Sequence, residues 1–425
     1  MKKISSYIIT GILTASLLTA CASSTESTSS NGMASSKSVS AEQAVYSSGD
    51  STASLTTAVS STAADTSDLF SKRDLKQTAD TSEAVSIEVS DDKIYTISEE
   101  GVYVITGEAE NCTIKIDADK EAKIQLVLDG VNVTNDNFPV IYVVSADKCF
   151  ITTTDCENTL TVTGKFTSDG DTNTDAVIYS KDDLVLNGVG TLNVTSYYGN
   201  GISGKDDIKV TGGTYNIKSA LDSIEANDSI AVYDGTFNIT TNKDGLHSEN
   251  SDDDTVGYIY IKDGSFTINS ASDAIQGTSY VQIDGGKLDI TAKEGIEGTY
   301  VIINGGTINI SASDDGINAS AKSSAYKIPT VEINGGELTI VMGQGDTDGI
   351  DANGNIYVNG GTIDITAQMS SFDYDGTAEY NGGTIIINGS QVDSIPQSMM
   401  MGGPGGNGGF GGQMNGGRNG FGGRR

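Results

Sequence analysis

The chain has 425 residues with 52 glycines, 4 prolines, no tryptophan and a formal net charge of −32. This charge argues against DNA or RNA as a partner, because phosphate binding needs a basic face, and it favours cations instead. The hydrophobic fraction of 36% and the regular alternation of Val and Ile exclude a disordered chain, and the length suffices for one large β domain or two smaller ones.

The first 20 residues are predicted to be a lipoprotein signal peptide. Two lysines follow the first Met, an apolar core runs from Tyr7 to Leu18, and the sequence Leu-Thr-Ala-Cys, which matches the bacterial lipobox, ends at Cys21. The alternative is a transmembrane helix, but the apolar run is too short to span a bilayer of about 30 Å comfortably. We therefore expect lipidation of Cys21 and an extracellular protein anchored to the cell membrane.

Two low-complexity segments flank the body of the chain. Residues 21–83 are rich in Ser, Thr and Ala with almost no apolar periodicity, which predicts a flexible tether after the lipidated cysteine. Residues 391–425 are rich in Gly and are predicted to form a disordered tail. The folded domain is expected between these segments, over residues 84–390.

A glycine motif recurs along this domain at intervals of about 22 residues, with longer steps where polar inserts occur. In one unit Val301 and Ile303 precede the glycine pair, Ile308 and Ile310 follow it, and Ile317 comes after an acidic corner. The last glycine of each unit falls at Gly190, Gly213, Gly235, Gly264, Gly286, Gly306, Gly336, Gly361 and Gly383.

The repeat predicts an all-β fold. Alternation at period two marks short strands with one buried face, and the glycine pairs supply turns that need φ > 0. Three short strands per unit, with Val and Ile in fixed positions, predict a right-handed parallel β-helix (solenoid) of about 22-residue coils that stack about 4.8 Å apart. A β-propeller is the rival fold, but its blades need about 40 residues and usually carry aromatic signatures.

Outward positions that recur once per coil form two columns of polar side chains. The corner column lies just before the small residue and Ile of each unit and reads Asn200, Asp222, Asp244, Asp273, Glu294, Asp315 and Asp348. The strand column lies just past that Ile and reads Ser203, Glu225, His247, Gln276, Glu297, Asn318 and Asp351.

These columns predict calcium sites. Carboxylates stacked about 4.8 Å apart repel one another by a few kcal/mol at an effective dielectric near 20. A Ca²⁺ ion binds oxygen at about 2.4 Å and therefore fits between successive coils. The alternative is that each acid caps its own turn by accepting backbone N–H bonds. The expected ligands are Asp222, Glu225, Asp244, Asp273, Glu294, Glu297, Asp315, Asn318, Asp348 and Asp351.

A third column is aromatic. Tyr258, Tyr280 and Tyr300 occupy the same position of three successive coils, one residue before the first strand aliphatic, and by parity they face outward. A row of exposed tyrosines suits stacking on sugar rings, so these residues are predicted to bind carbohydrate. The alternative is a tyrosine ladder that only stabilises cross-strand packing.

The alternative to a binding protein is an enzyme, because parallel β-helices host polysaccharide lyases and hydrolases. A calcium-dependent lyase needs a base, usually Arg or Lys, to take the proton next to the uronate carboxylate. Residues 84–390 contain no Arg, which leaves Lys243, Lys262 and Lys293 as candidate bases. The single histidine, His247, is more often incidental at a turn than catalytic. No catalytic residue is assigned, and a non-enzymatic protein is favoured.

The segment QLVLDGVNVTNDNFPVIYVVSADKCFI, followed by glycine-pair coils with Asp-Gly-Ile corners and a Gly-rich tail, resembles the bacterial carbohydrate-binding domain-containing lipoproteins of parallel β-helix fold. The resemblance covers residues 84–390. It implies a calcium-bearing, non-catalytic surface protein that binds cellulose or acidic sugars such as polygalacturonate. His247 and Gln276 depart from the pattern, which argues against calcium at those coils.

The outward columns and the resemblance both predict a polysaccharide-binding protein, which we expect to be a monomer. A bound Ca²⁺ could bridge the carboxylates of the protein to those of an acidic glycan, which so acidic a chain would otherwise repel. The alternatives are a calcium-dependent lyase of the pectate type and a surface adhesin or spacer.

Overall fold

The computed structural model describes residue 66, residues 68–345 and residues 347–396. The predicted signal peptide, Cys21 and most of the predicted tether and tail lie outside these ranges. The described chain is all β, with strands of successive coils paired in parallel into one continuous solenoid, which confirms the predicted fold class. Its right-handedness stays a prediction. Within these ranges no helix is long and apolar enough to cross a membrane.

Each coil contributes one strand to each of three parallel sheets. Sheet 1 precedes the glycine pair and contains Val85–Glu88, Lys148–Thr153, Asp183–Gly188, Asp207–Val210, Ser229–Val232, Tyr258–Ile261, Thr330–Ile333, Asn355–Val358 and Ala378–Tyr380. Sheet 2 follows the glycine pair and contains Glu157–Val162, Thr191–Ser196, Thr214–Ser219, Thr236–Thr241, Ser265–Ser270, Lys287–Ala292, Thr307–Ala312, Glu337–Met342, Thr362–Thr366 and Thr384–Ile387.

Sheet 3 follows the acidic corner. It contains Ile94–Ile97, Thr113–Asp117, Ile141–Ser145, Ala176–Ser180, Asn200–Gly204, Ile224–Ala226, Leu246–Ser248, Asp315–Ala319, Asp348–Ala352 and Ser370–Tyr374. Four longer strands pass through a corner without a break. Gly101–Glu110 and Lys123–Asn135 join sheets 1 and 2, whereas Asp273–Ile283 and Glu294–Ile303 join sheets 3 and 1.

The strand direction reverses at the C-terminal end of the described solenoid. The last described strand, Ser390–Val392, pairs antiparallel with Thr384–Ile387 of sheet 2. This hairpin lies across the boundary predicted at residue 390. It covers the end of sheet 2, where an exposed row of backbone N–H and C=O groups would otherwise attract another chain.

The core is a continuous column of inward-facing aliphatic side chains. The residues that the repeat placed inside are almost fully buried, with exposures of 0% for Val301, 1% for Ile303 and 0% for Ile317. Aromatic rings also stack inside the solenoid, and the ring centroids of Phe237 and Phe266 lie 4.5 Å apart. No coil could bury its apolar face alone, so stability comes from contacts between neighbouring coils.

The glycine pairs hold the corner between sheets 1 and 2. Gly306 has a φ of +93°, a conformation that residues with a side chain rarely adopt. A Cβ atom at Gly305 would lie 2.6 Å from the carbonyl oxygen of Asp284 in the preceding coil. The first glycine therefore permits close stacking and the second permits the turn.

Part of the predicted tether lies against the solenoid. The guanidinium of Arg73 lies 4.5 Å from the ring centroid of Phe150 on sheet 1. Farther along, the Gln77 side-chain amide donates a 2.9 Å hydrogen bond to the carbonyl of Thr211. These contacts show that the chain already packs against the solenoid upstream of residue 84. The sequence did not indicate this because the segment has polar composition and no strand periodicity.

Candidate functional site

The strand register brings the two polar columns together along one corner, between sheets 2 and 3. In the strand column Glu225 pairs with His247, and His247 pairs with Gln276. Glu297 then pairs with Asn318. The alignment of coils made from the repeat is therefore correct, and polar groups distant in sequence lie on adjacent rungs.

The corner column links successive coils through the backbone. The N–H of Asp222 donates to the Asn200 side-chain oxygen at 2.9 Å. The N–H of Asp244 donates to Asp222 Oδ1 at 3.0 Å, and that of Asp273 to Asp244 Oδ1 at 2.9 Å. Each side chain thus holds the next coil rather than its own turn. One carboxylate oxygen is used in this way, which leaves the other for a second partner.

The His247 cluster consists of Asp222, Glu225 and His247, whose ligand atoms lie within 4.8 Å of one another. Lys243 Nζ lies 2.7 Å from Asp222 Oδ2, and His247 Nδ1 lies 3.4 Å from the same oxygen. Burial raises the pKa of Asp222, but the hydrogen bonds from His247 and Lys243 outweigh it and hold that pKa below its ordinary value. The protein therefore balances this charge with its own cations.

The Asp273 cluster consists of Asp273, Glu294 and Glu297, with carboxylate oxygens also within 4.8 Å of one another. Asp273 is 7% exposed and Glu297 is 6% exposed. Burial, followed by the charges of Glu294, Asp244 and Glu297, raises the pKa of Asp273 to about 8. Without a cation, Asp273 is therefore mostly protonated at neutral pH.

Two lysines pair with members of the Asp273 cluster, but neither pairs with Asp273 itself. Lys322 Nζ lies 2.7 Å from Glu297 Oε2. Lys293 Nζ lies 3.2 Å from Glu294 Oε1, but it is closer to Asp314, at 2.7 Å. Neither lysine forms an ion pair with Asp273 among the described residues. Asp273 thus has no basic partner there, although Glu294 and Glu297 each have one.

Neutral oxygen donors complete the surroundings of the Asp273 cluster. The Asn318 amide donates to Glu294 Oε2 at 3.0 Å, and the Ser320 hydroxyl donates to Glu297 Oε1 at 3.1 Å. Asn318 Oδ1 is buried and accepts no hydrogen bond from the described residues. Carboxylate and amide oxygens are the ligands that Ca²⁺ prefers, so this donor set fits the ion.

Asp315, Asp348 and Asp351 form the next acidic group along the corner. The N–H of Asp348 donates to Asp315 Oδ1 at 3.2 Å. Burial and the neighbouring aspartates raise the pKa of Asp315 to about 7 and that of Asp351 to about 6. Among the described residues, the carboxylate oxygens of this group do not come as close to one another as the ligand atoms of the two clusters above.

Sequence reasoning missed a third cluster, at the corner between sheets 3 and 1. Carboxylate oxygens of Asp183, Asp206 and Asp207 lie within 4.8 Å of one another. Lys148 Nζ lies 3.2 Å from Asp183, and the Ser229 hydroxyl donates to Asp207 at 2.6 Å. Burial and the adjacent aspartates raise the pKa of Asp206 to about 6. The signal that could have found it is the Lys-Asp-Asp sequence recurring in two successive coils.

The predicted tyrosine column faces outward but is not an open platform. The rings of Tyr258 and Tyr280 stack on each other with centroids 4.8 Å apart and planes 5° from parallel. Tyr326, from a polar insert, lies 6.4 Å from Tyr280 and 5.1 Å from Tyr300. Tyr300 is only 8% exposed, so the expectation of three open rings is wrong at that position. The rings mainly cover one another.

Two other tyrosines are exposed. Tyr197 is 58% exposed and Tyr198 is 52% exposed, in the bend between sheets 2 and 3. Leu221, in the equivalent bend of the next coil, is 41% exposed. These residues escaped sequence reasoning because they do not recur at one position of several coils. They are open aromatic faces close to the polar corner.

Stacked parallel coils with carboxylate clusters and open tyrosines on their outer surface define a β-solenoid that presents its binding groups along its length. The family model of carbohydrate-binding domain-containing proteins matches residues 91–349 and 297–394. The chain belongs to this family, as its resemblance implied.

Two individual proteins are also similar. A carbohydrate-binding domain-containing protein of Acetivibrio thermocellus is 36% identical over 219 residues, which cover 51% of this chain and 76% of that protein. The solved structure of the polysaccharide lyase-like protein from C. thermocellum, a gadolinium derivative, is 24% identical with a TM-score of 0.41 and covers 72% of this chain and 97% of its own.

Proposed function

We propose that this protein is a non-catalytic, calcium-binding cell-surface protein that binds polysaccharide, namely cellulose and acidic glycans such as polygalacturonate. Membership of the carbohydrate-binding family supports the polysaccharide part. The observation that carries the calcium part is the Asp273 cluster, where three carboxylates converge within 4.8 Å and burial with like charge raises the pKa of Asp273 to about 8. The lipobox sequence at Cys21 supports a lipid anchor.

The Asp273 cluster supplies the ligands for the ion. Asp273, Glu294 and Glu297 would hold Ca²⁺ with their carboxylates, and Asn318 could add its amide oxygen after a side-chain flip. When bound, the ion offsets the repulsion between these groups and can accept a carboxylate of the glycan. The chain carries a net charge of −32, so an acidic polymer approaching without a cation is repelled.

The lysines near the corner favour binding over lyase chemistry. Lys243 lies 2.7 Å from Asp222, and this contact outweighs burial and raises the lysine pKa. The carboxylates of Asp314 and Glu294 likewise raise the pKa of Lys293. A lysine that stays protonated at neutral pH cannot take a proton from a uronate, and catalysis by general base needs a pKa near the working pH.

The calcium bridge is tested by retention of the protein on immobilised polygalacturonate. We expect retention in Ca²⁺ and its loss in excess EDTA, and undiminished retention in EDTA would refute the bridge. Ultraviolet absorbance of the supernatant, which reports unsaturated uronate product, separates binding from a lyase. A protein that binds neither polygalacturonate nor cellulose would contradict the proposal and favour a surface adhesin or spacer.

The anchor has its own test. Replacing Cys21→Ser should move the protein from the membrane fraction to the culture medium, because a lipidated cysteine holds a protein to the bilayer through buried acyl chains. A protein that stays in the membrane fraction after this change is not anchored through Cys21.

A further inference from the structure

The outward face of sheet 2 differs in chemistry from the acidic corner beside it. We define the threonine–asparagine face by the outward residues of four successive strands, namely Thr191, Asn193, Thr195, Thr214, Asn216, Lys218, Thr236, Asn238, Thr240, Ser265, Thr267 and Asn269. Lys218 is the single charged group in this set, although the chain contains 57 Asp and Glu residues. The face itself therefore holds no carboxylate, although Glu157 and Asp289 lie on the two strands that flank it, and the Asn193 amide donates to Glu157 at 2.7 Å.

This face is regular. The four strands pair in register, so that Thr191 lies beside Thr214, Thr214 beside Thr236, and Thr236 beside Ser265. Neighbouring strands are about 4.8 Å apart and alternate side chains along a strand about 6.6 Å apart, which sets hydroxyl and amide groups on a fixed grid. The outward side chains of the last two strands are exposed throughout, and those of the first two are half-buried apart from exposed Lys218.

The asparagine amides of the grid are held in place before any ligand arrives. The Asn216 amide donates to the Asn193 side-chain oxygen at 2.8 Å, and the Asn238 amide donates to that of Asn216 at 2.8 Å. The Thr214 and Thr236 hydroxyls form no hydrogen bond with other described side chains and are thus available to a ligand. A surface whose groups are already ordered loses less conformational entropy on binding.

Open aromatic rings border the face. Tyr197 directly follows the strand Thr191–Ser196 and continues its outward alternation, and Tyr198 comes next. At 58% and 52% exposure these two rings are among the most exposed large hydrophobic side chains of the described chain. Tyrosine joins a flat apolar surface to a polar tip and is enriched where proteins bind partners, whereas charged residues are depleted there.

We propose that the threonine–asparagine face, together with Tyr197 and Tyr198, binds the flat side of a neutral polysaccharide without a metal ion. Sugar rings carry hydroxyl groups at their edges, which match the Thr and Asn grid, and apolar C–H faces, which match the tyrosine rings. An acidic polymer fits this face less well because Lys218 is its only cation. The inference rests on the polysaccharide-binding part of the proposed function, but it assigns neutral polymers to a surface separate from the calcium corner.

The test is a depletion assay of the full chain on insoluble cellulose in EDTA. Thr236→Arg places a long, charged side chain on the third strand of the face, at its exposed edge, and it should weaken binding about tenfold or more. Its matched control is Thr362→Arg, an exposed position in the same slot of sheet 2 on a distant strand, which should leave binding unchanged. Tyr197→Ala combined with Tyr198→Ala should also weaken binding about tenfold, with no change in thermal midpoint.

Binding of the same variants to polygalacturonate in the presence of Ca²⁺ distinguishes this inference from the proposed calcium function. Thr236→Arg should not affect that interaction, whereas Glu297→Gln should weaken it and leave cellulose binding intact. Three results would overturn the inference. The protein does not bind cellulose, EDTA abolishes its cellulose binding, or Thr236→Arg and Thr362→Arg weaken that binding equally. Loss of polygalacturonate binding alone would instead overturn the calcium bridge and leave the threonine–asparagine face supported.

Discussion

The His247 cluster and the Asp273 cluster occupy the same corner of the solenoid, in nearby coils, yet their charges are balanced differently. In the His247 cluster Lys243 lies 2.7 Å from Asp222, and the pKa of Asp222 is lowered. In the Asp273 cluster burial and like charges raise the pKa of Asp273 to about 8. In the first cluster a lysine pairs directly with the buried aspartate. In the second, Lys293 and Lys322 pair with Glu294 and Glu297, and Asp273 has no ion-pair partner among the described residues, so a divalent cation would offset its charge.

The difference comes from the direction of the lysine that precedes the next corner. Lys243 precedes Asp244, and its side chain reaches back to Asp222 in the preceding coil. The equivalent lysine for Asp273 is Lys293, which precedes Glu294, but its Nζ lies 3.2 Å from Glu294 and 2.7 Å from Asp314 of the following coil. In a stacked repeat, the direction of one such side chain thus decides whether the buried carboxyl group behind it has an internal cation.

The largest expected effect comes from removing one strand-column carboxylate. Glu297→Gln should weaken Ca²⁺ binding by about 100-fold or more, since loss of even an outer-shell partner costs up to about 100-fold. Glu225→Gln, the same change in the His247 cluster, should alter affinity by less than about threefold. Calorimetric titration measures both variants, and equal losses would show that the two clusters do not differ as described.

A second change should make the His247 cluster resemble the Asp273 cluster. Lys243→Met removes the internal cation and should lower the free energy of unfolding in EDTA by about 1–3 kcal/mol. Breaking a fully buried ion pair costs about 3–5 kcal/mol, and the smaller loss is expected here because Lys243 is half exposed. Added Ca²⁺ should regain part of this loss. Lys293→Met, at a more solvated pair, should cost about 0–1 kcal/mol. Denaturant unfolding compares them, and a Lys243→Met protein of unchanged stability contradicts the account.

The pH dependence of stability should have opposite signs at the two clusters. The pKa of folded Asp273, about 8, lies above its ordinary value of 3.8, so its contribution is full below about pH 4 and is lost as the pH rises through 8. The lowered pKa of Asp222 works the other way, and its contribution is lost as the pH falls below the ordinary range.

Thermal midpoints in EDTA between about pH 5 and about pH 8 measure the Asp273 effect. The wild-type midpoint should fall by several degrees across this range. Asp273→Asn should reduce this slope because it removes one titrating group, while Asp206, Asp315 and Asp351 still titrate in the range. Saturating Ca²⁺ should also reduce the slope. A wild-type slope identical to that of Asp273→Asn would show that Asp273 does not titrate in this range.

The sequence was sufficient for the fold and for the order of the columns. Val301, Ile303 and Ile317 lie inside because a period of two fixes which side chains face the core. The pairing of Glu297 with Asn318 followed from counting residues between glycine pairs. These features are local or repeat in every coil, so one unit predicts the next.

Features that depend on a single coil could not be predicted. Nothing in the repeat shows that the Lys243 side chain turns toward Asp222, because several rotamers are open to a lysine. The fold of the insert that brings Tyr326 over Tyr300 has no counterpart in other coils. The contact of Arg73 with Phe150 joins a segment without periodicity to the solenoid. Each of these is a long-range contact made once.

The most direct measurement is anomalous diffraction from a crystal of the protein grown in calcium. We expect an anomalous peak among the carboxylates of Asp273, Glu294 and Glu297 and none beside Asp222, where Lys243 already balances the charge. A bare Asp273 cluster at saturating calcium, or a peak at Asp222 instead, would contradict this expectation.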